Sequence, residues 1–320
     1  MSRADPPSGK PRICAAIALT TRESLRSLDS LIDQSFPKAD YEIAVLGAGS
    51  YETDIAALGN RRDGVPKLRL LDAPDGCPAA TCNIPLEATE APILAVLGDL
   101  AVAHRDWLVG LNNAFTLFGE DAAMVGGRIA ARWLAPRPTW LADQLLPTLG
   151  LVDLGEEARF LDEKEHLGTR NIAFATDVLK RIGGFPNSVS TYGTTELLEA
   201  DVVRRLHERI ARADAHTVYT PDAVVEIDMP ASRITQSWIR RQAAWRAVAE
   251  FADFGPLQAE DAAARWQSVK NFFYELPPID RTVRGLVLAE EDSHRFRHQV
   301  SAVYDTVSCI LSGIDEHEDD

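Results

Sequence analysis

The first hundred residues alternate short, continuous apolar runs with segments of helical period, and this alternation narrows the possible folds more than any other feature of the chain. Residues 13–19, 41–46, 68–71 and 93–97 are runs of strand length with almost no polar interruption. Between the first two, Leu25, Leu28, Leu31 and Ile32 recur at helical spacing and Pro37 closes the segment. A helix rich in small residues is expected over 78–88. Strands without apolar/polar alternation are buried on both faces, which is the mark of a parallel sheet covered by helices. Ligands of such sheets lie beyond the carboxyl ends of the strands. The positions to watch are therefore Thr20, 47–50, Asp72 and 98–100.

Downstream the pattern changes. Residues 123–131 read as a strand, 136–147 as a proline-rich connection bearing Trp140, and 167–174 as a strand leading into a helix over 176–182. Gly183 and Gly184 read as turn chemistry, not a phosphate loop. A helix over 195–213 precedes two short strands, 217–219 and 223–227, and then a long helix over 235–251. Beyond Gly255 the pattern is helical and polar and ends in an acidic tail, 315–320. The expected division is a disordered leader over 1–10, an α/β domain over 11–254 and a helical C-terminal extension over 255–320.

The chain carries 48 Asp and Glu against 33 Lys and Arg, a net charge of −15. Such a field repels nucleic acid, so nucleic-acid binding is excluded as a general function. The longest apolar run, 93–102, is well short of the ~18 residues a spanning helix needs and contains Gly98 and Asp99, so no transmembrane segment is expected. Residues 1–12 hold Pro6, Pro7, Gly9 and Pro11 and lack the apolar stretch of a signal peptide. Cys14, Cys77, Cys82 and Cys309 have no metal-ligand spacing. They read as reduced thiols of a cytoplasmic protein.

Several landmarks then occur in one order. Thr20-Thr21-Arg22-Glu23-Ser24-Leu25 follows the first strand, Val45-Leu46-Gly47-Ala48-Gly49-Ser50 ends the second, and Gly76 to Asn83 opens the small-residue helix. Gly98-Asp99-Leu100 ends the fourth strand, and Asn171-Ile172-Ala173-Phe174, Ile182-Gly183-Gly184-Phe185 and the segment from Arg233 to Arg241 follow. Over roughly 11–254 this order resembles the nucleotide-sugar glycosyltransferases of family 2, whose fold is called GT-A. The resemblance implies a mostly parallel central sheet flanked by helices and an inverting transfer from a nucleotide-sugar donor. The acceptor would be a hydroxyl on a saccharide, a lipid-linked molecule or a small molecule. The oligomeric state stays open.

The same resemblance assigns the site. Thr20, Arg22, Ser50, Asn83, Asp99, Arg233 and Arg241 are the donor-binding candidates. Counting back from Arg205-Leu206 puts the catalytic base on Glu199, with Asp201 two residues on and Glu196 as the alternative one turn earlier. Acids early in a helix also complement its dipole, and Asp201 stands at i,i+4 from Arg205, so these residues have a purely structural reading as well. The chain departs from the family where Gly47-Ala48 replaces a pair of aspartates, where Gly98-Asp99-Leu100 keeps only the middle acid of a DxD element, and where Cys82 replaces an arginine. Mg²⁺ or Mn²⁺ would be left with Asp99 and Asp228 as a reduced metal site, whereas hard cations take several oxygen ligands. Guanidinium groups bind phosphate without a metal, and Arg233, Arg241 and Arg246 are the candidates for that substitution. On a helical wheel Trp238 and Trp245 share a face with Arg241 beside them and Arg240 pointing away. His104 and His216 read as isolated surface histidines and Trp140 as a hydrophobic anchor. The competing reading is a catalytically inactive binding or scaffold protein on the same fold.

Overall fold

The computed structural model describes residues 10–60, 64–72, 78–162, 165–186 and 195–315; most of the expected leader and acidic tail, and Cys77, lie outside them. Strand β1 (Ile13–Ala18) precedes helix α1 (Leu25–Ile32), β2 (Tyr41–Leu46) precedes α2 (Glu52–Asn60), and β3 (Lys67–Leu71) precedes α3 (Pro78–Ala88). Strand β4 (Ile93–Leu97) turns into the short β5 (Ala101–Ala103), followed by α4 (Trp107–Phe118) and β6 (Ala122–Trp133). Next come β7 (Arg159–Phe160), β8 (Asn171–Ala175), α5 (Thr176–Arg181), α6 (Thr195–Arg212) and β9 (His216–Met229). The chain closes with α7 (Gln236–Phe254), α8 (Ala259–Glu275) and α9 (Ser293–Asp315).

Among the described residues the strands form one sheet in the order β3-β2-β1-β4-β8-β6-β9-β5, with β7 also pairing with β9. Strands β1 to β4 run parallel. Strand β8 is antiparallel to β4 and β6, and β5 and β7 are antiparallel to β9. Every residue of β2, β4 and β8 is buried, as expected of strands covered on both faces. Strand β3 at the edge is partly exposed and carries Lys67 and Arg69, charges that discourage pairing with another sheet.

Two expected strands prove to be one. Strand β9 runs unbroken through Pro221, which sequence rules read as a break. Pro221 falls between the stretch paired with β7, at Val218 and Tyr219, and the stretch paired with β5, at Val225 to Ile227, so neither ladder needs its missing N–H. The strand expected from 167 begins only at Asn171, because 168–171 form a turn closed by Asn171 N donating to Gly168 O at 3.2 Å.

Asn171 ties the centre of the sheet together. It is fully buried, accepts from Trp107 Nε1 at 2.7 Å, and donates through Nδ2 to Arg128 O at 2.9 Å and Ala223 O at 2.7 Å. One side chain thus joins α4, β6, β8 and β9. Full satisfaction is what makes a polar group tolerable at such a position.

The chain forms two compact units. The first comprises Met1–Arg132, Leu151–Val189 and Ala200–Asp228 and contains the sheet. The second comprises Trp133–Gly150, Ser190–Glu199 and Met229–Asp320. Its core is helical: Phe272, Leu276 and Ala302 are buried together with Phe273 and Leu286 against them. Gln236 exchanges hydrogen bonds with the backbone of Glu290, and Trp140 meets Phe296 edge-on with ring centroids 4.8 Å apart, so Trp140 is a hydrophobic anchor. Helix α7 thus packs with the C-terminal helices, and the compact units do not divide at residue 254.

Candidate active site

In the first unit the exit of β1 and the exit of β4 meet. After β1 the chain enters a single 3-10 turn, Arg22–Ser24, with Thr21 extended ahead of it. Thr21 N donates to Ser24 Oγ at 3.2 Å, which fixes the rotamer of a serine with no exposed surface. The Ser24 hydroxyl donates to Asp99 Oδ1 and the Thr20 hydroxyl donates to Asp99 Oδ2. Both carboxylate oxygens of Asp99 are therefore held by hydroxyls from the β1 exit. Thr20 and Asp99, expected as donor-binding residues, are brought together, and Ser24 joins them.

Of the two acids missing around Asp99, the backbone accounts for the one at 98 and not for the one at 100, a left-handed position that admits aspartate. Ala101 N donates to Gly98 O at 3.1 Å, closing a four-residue turn whose third residue, Leu100, has φ 61°. That left-handed position favours glycine or asparagine and disfavours a branched apolar residue. Leu100 is nonetheless there, 45% exposed. Gly98 lies against Arg170: a Cβ on it would stand 2.5 Å from Arg170 Cγ and 2.7 Å from Arg170 Cα. Gly47 has φ 71°, and a Cβ there would stand 2.9 Å from Leu19 O. Aspartate at 47 or 98 is thus opposed by close backbone approach.

Across the sheet, the register pairs Ala101 with Ile227, so Asp228 falls one step beyond, at the end of β5 that carries the Asp99 turn. Asp228 is clamped from two sides. Arg26 of α1 donates through Nη1 to Oδ2 at 3.1 Å and through Nη2 to Oδ1 at 3.0 Å. Arg132 at the end of β6 donates through Nε to Oδ1 at 2.6 Å and through Nη2 to Oδ2 at 2.7 Å. These bonds, Arg132 first and then Arg26, pull the Asp228 carboxyl down from its ordinary 3.8 to about 2 against the opposing effect of partial burial. The same bond to Asp228 raises the Arg132 guanidinium.

This donor set does not fit a divalent cation. Both Asp228 oxygens face guanidinium groups, and Asp99 supplies one carboxylate whose oxygens already accept hydroxyls. Among the described residues no three His, Cys, Asp or Glu side chains come close enough to hold a metal ion. The reduced metal site expected from Asp99 and Asp228 is therefore replaced by two separate arrangements, one of hydroxyls and one of arginines.

Among the other expected residues, Arg22, Asn83, Arg233 and Arg246 have partners of their own. Arg22 pairs with Asp54 of α2 at 3.0 Å on the surface. The Asn83 carboxamide is taken up by the Phe185 backbone, donating to its O at 3.0 Å and accepting from its N at 2.8 Å, so it ties α3 to the turn after α5. In the second unit Arg233 stacks over Trp238 at 5.3 Å and donates to Leu149 O at 3.2 Å. Arg246 pairs with Glu250 at 2.8 Å, and Arg241 is exposed on α7. The expected helical wheel is also corrected: Arg240 points inward, donating to Gln299 Oε1 at 2.9 Å and Leu288 O at 3.2 Å, while Trp238 is buried and Trp245 is 36% exposed. The side chains of Ser50, Glu196, Glu199 and Asp201 lie outside the described residues; their backbones belong to the turn Ala48–Ser50 and to the first half of α6. His104 lies 3.5 Å from Glu226, and His216 stacks on Phe160 at 4.9 Å. Cys14 and Cys309 are buried free thiols and Cys82 is half-buried; burial, then Glu42, pushes the Cys14 thiol up to about 12.

Sequence reasoning missed Ser24, Arg26 and Arg132. Arg26 sits on the polar side of an amphipathic helix and Arg132 near the end of a long strand, and no spacing links either to Asp228. The available signal was the alternation of β9, which sets Glu226 and Asp228 on the less buried face at a strand exit.

The fold is that of the GT-A glycosyltransferases, with a mixed sheet, parallel over β3-β2-β1-β4 and antiparallel beyond, flanked by helices. Mannosyltransferase PcManGT from Pyrobaculum calidifontis, solved in complex with GDP-Man and Mn²⁺, matches 96% of this chain and 89% of its own with a TM-score of 0.58 and 17% identity. In sequence the chain is 24% identical over 156 residues to the glucosyl-dolichyl phosphate glucuronosyltransferase of Haloferax volcanii. That match covers 48% of this chain and 48% of the relative, so it spans about half the relative's length. No family model matches the chain. No helix among the described residues is long and apolar enough to cross a membrane.

Proposed function

We propose that this protein is a nucleotide-sugar glycosyltransferase that moves a sugar to an acceptor hydroxyl with inversion and without a resident metal. The observation that carries this reading is the convergence of Thr20, Ser24 and Asp99 at the strand exits of a GT-A sheet, where ligands of such sheets sit. In the reaction the acceptor oxygen attacks the anomeric carbon opposite the nucleoside diphosphate. A carboxylate takes the hydroxyl proton, and the bond to the diphosphate oxygen breaks with its charge stabilised by cationic groups. The base is assigned to Glu199, with Asp201 beside it in sequence. Because PcManGT binds GDP-Man and the Haloferax relative is named for a dolichyl phosphate substrate, GDP- and UDP-sugars are the first donors to test and lipid-linked hydroxyls the first acceptors. Cytoplasmic residence fits such donors.

The test is a thermal-shift panel of UDP-, GDP- and dTDP-sugars with and without Mn²⁺, followed by turnover of the stabilising donor. A donor that raises the melting temperature and is consumed supports the reading; Glu199→Gln should then abolish turnover while binding persists. Silence across the panel favours the second reading, a non-catalytic GT-A binding protein. What favours that alternative is the steric opposition to acids at Gly47 and Gly98.

A further inference from the structure

We infer that Arg26 and Arg132 form a metal-free cradle for the donor's diphosphate, held in place by Asp228 as a resident counter-anion until the donor arrives. This rests on the proposed function for its ligand and on the structure for its residues. Each guanidinium presents two N–H groups to one carboxylate, the fork geometry that also matches phosphate oxygens. Arg26 and Arg132 both pair with Asp228, and Glu226, two residues away, also acts on Arg132, so the cluster is close to neutral overall, with its two guanidinium forks on one carboxylate. The three side chains retain 42%, 45% and 31% of their surface, so an anion from solvent can reach them. Buried structural ion pairs are closed off; this one is open.

The location agrees. Arg26 lies two residues beyond Ser24, whose hydroxyl holds Asp99, and Asp228 lies one register step from the β5 residue that closes the Asp99 turn. A carboxylate occupies the four N–H groups with two oxygens. A diphosphate brings more oxygens and more charge to the same forks. Exchange of Asp228 for the diphosphate therefore strengthens the electrostatic term, and the freed Asp228 carboxylate is left to solvent. Of the arginines expected for this duty, Arg233 and Arg246 are committed to partners in the second unit, while Arg241 is exposed on α7.

The probe is inorganic pyrophosphate, titrated calorimetrically into the full chain in EDTA. The parent protein is expected to bind it, with affinity falling as salt rises. Arg26→Gln and Arg132→Gln should each weaken binding by about tenfold or more, the scale of a lost charge-assisted pair. Arg132→Lys, which keeps the charge and loses the fork, should fall between. Asp228→Asn, which removes the competing anion, should tighten binding. Binding that appears only with Mn²⁺, glutamine variants that bind like the parent while melting at the same temperature, or no binding at all would overturn the inference. Turnover that requires Mn²⁺ would leave the transferase reading standing and remove the cradle. Pyrophosphate binding through the arginines with no donor consumed would do the reverse.

Discussion

Restoring the first acid of the degenerate element, by Gly98→Asp, should damage the protein without creating a metal site. A Cβ at 98 would stand 2.5 Å from Arg170 Cγ and 2.7 Å from both its Cα and Cβ. The Cγ can rotate away, but the Cα belongs to the turn that feeds β8, and Gly98 N donates to Arg170 O at 3.1 Å, which locks the two segments together. Overpacking of this kind costs about 1–3 kcal/mol, and a clash with backbone belongs at the upper end of that range. At roughly 2–4 °C per kcal/mol for a large domain, Gly98→Ala is expected to lower the melting temperature by about 5–10 °C. Gly98→Asp adds a second carboxylate beside Asp99 and should fall further. The assay is thermal unfolding followed by circular dichroism, with and without Mn²⁺. A Gly98→Asp protein that melts with the parent and gains stability from Mn²⁺ would refute the steric account of the missing acid.

Four other outcomes follow from the same coordinates. Asn171→Leu strands the Trp107 N–H and two carbonyls in the core, and should cost about 3–5 kcal/mol in urea unfolding; a loss under about 1 kcal/mol would deny the knot its role. Leu100→Gly should keep or raise the melting temperature, since φ 61° strains a leucine by about 1–2 kcal/mol and the side chain is exposed; a drop of several degrees would count against strain. Asp228 and Glu165 are both held at about 2, by Arg132 with Arg26 and by Arg159 respectively. Their folded values lie below the unfolded ones, so their stabilisation is full above pH ~4.5 and is lost as pH falls toward 2, on the order of 1 kcal/mol each after solvent screening. Asp228→Asn should flatten that acid limb, and an unchanged slope between pH 5 and 2.5 would contradict the linkage.

The sheet was legible because its strands carry a signal that survives without a partner: continuous apolar runs at 13–19, 41–46 and 93–97 match β1, β2 and β4 within two residues. Helix α3 falls on the expected 78–88 and the start of α6 on the expected 195. Pro221 misled because a local rule about donors ignores where the neighbouring strands end. The site was half legible. Strand-exit logic, which depends on topology alone, points to Thr20 and Asp99, and their side chains do meet. Asn83, expected at the donor, also holds the Phe185 backbone through its amide, a use that no spacing announces. Arg26 and Arg132 were missed because 106 residues separate them, and only the folded sheet brings both to Asp228.

The acid-poor rim and the arginine pair on Asp228 belong to one electrostatic argument. A donor diphosphate brings two or more negative charges to the strand exits. At an effective dielectric near 20, a carboxylate about 5 Å away repels each of them by roughly 3 kcal/mol. With a divalent cation between them that repulsion becomes bridging; without one, every acid at the rim opposes binding. An acid at 47 or 98 would therefore weaken a metal-free site, and the backbone at Leu19 and Arg170 opposes both. Asp99 stays tolerable because two hydroxyls hold its oxygens, and Asp228 because two guanidinium groups pair with it. Against the missing acids at 47 and 98, which favour the inert scaffold, stand the solvent-open guanidinium forks of Arg26 and Arg132, which favour the transferase.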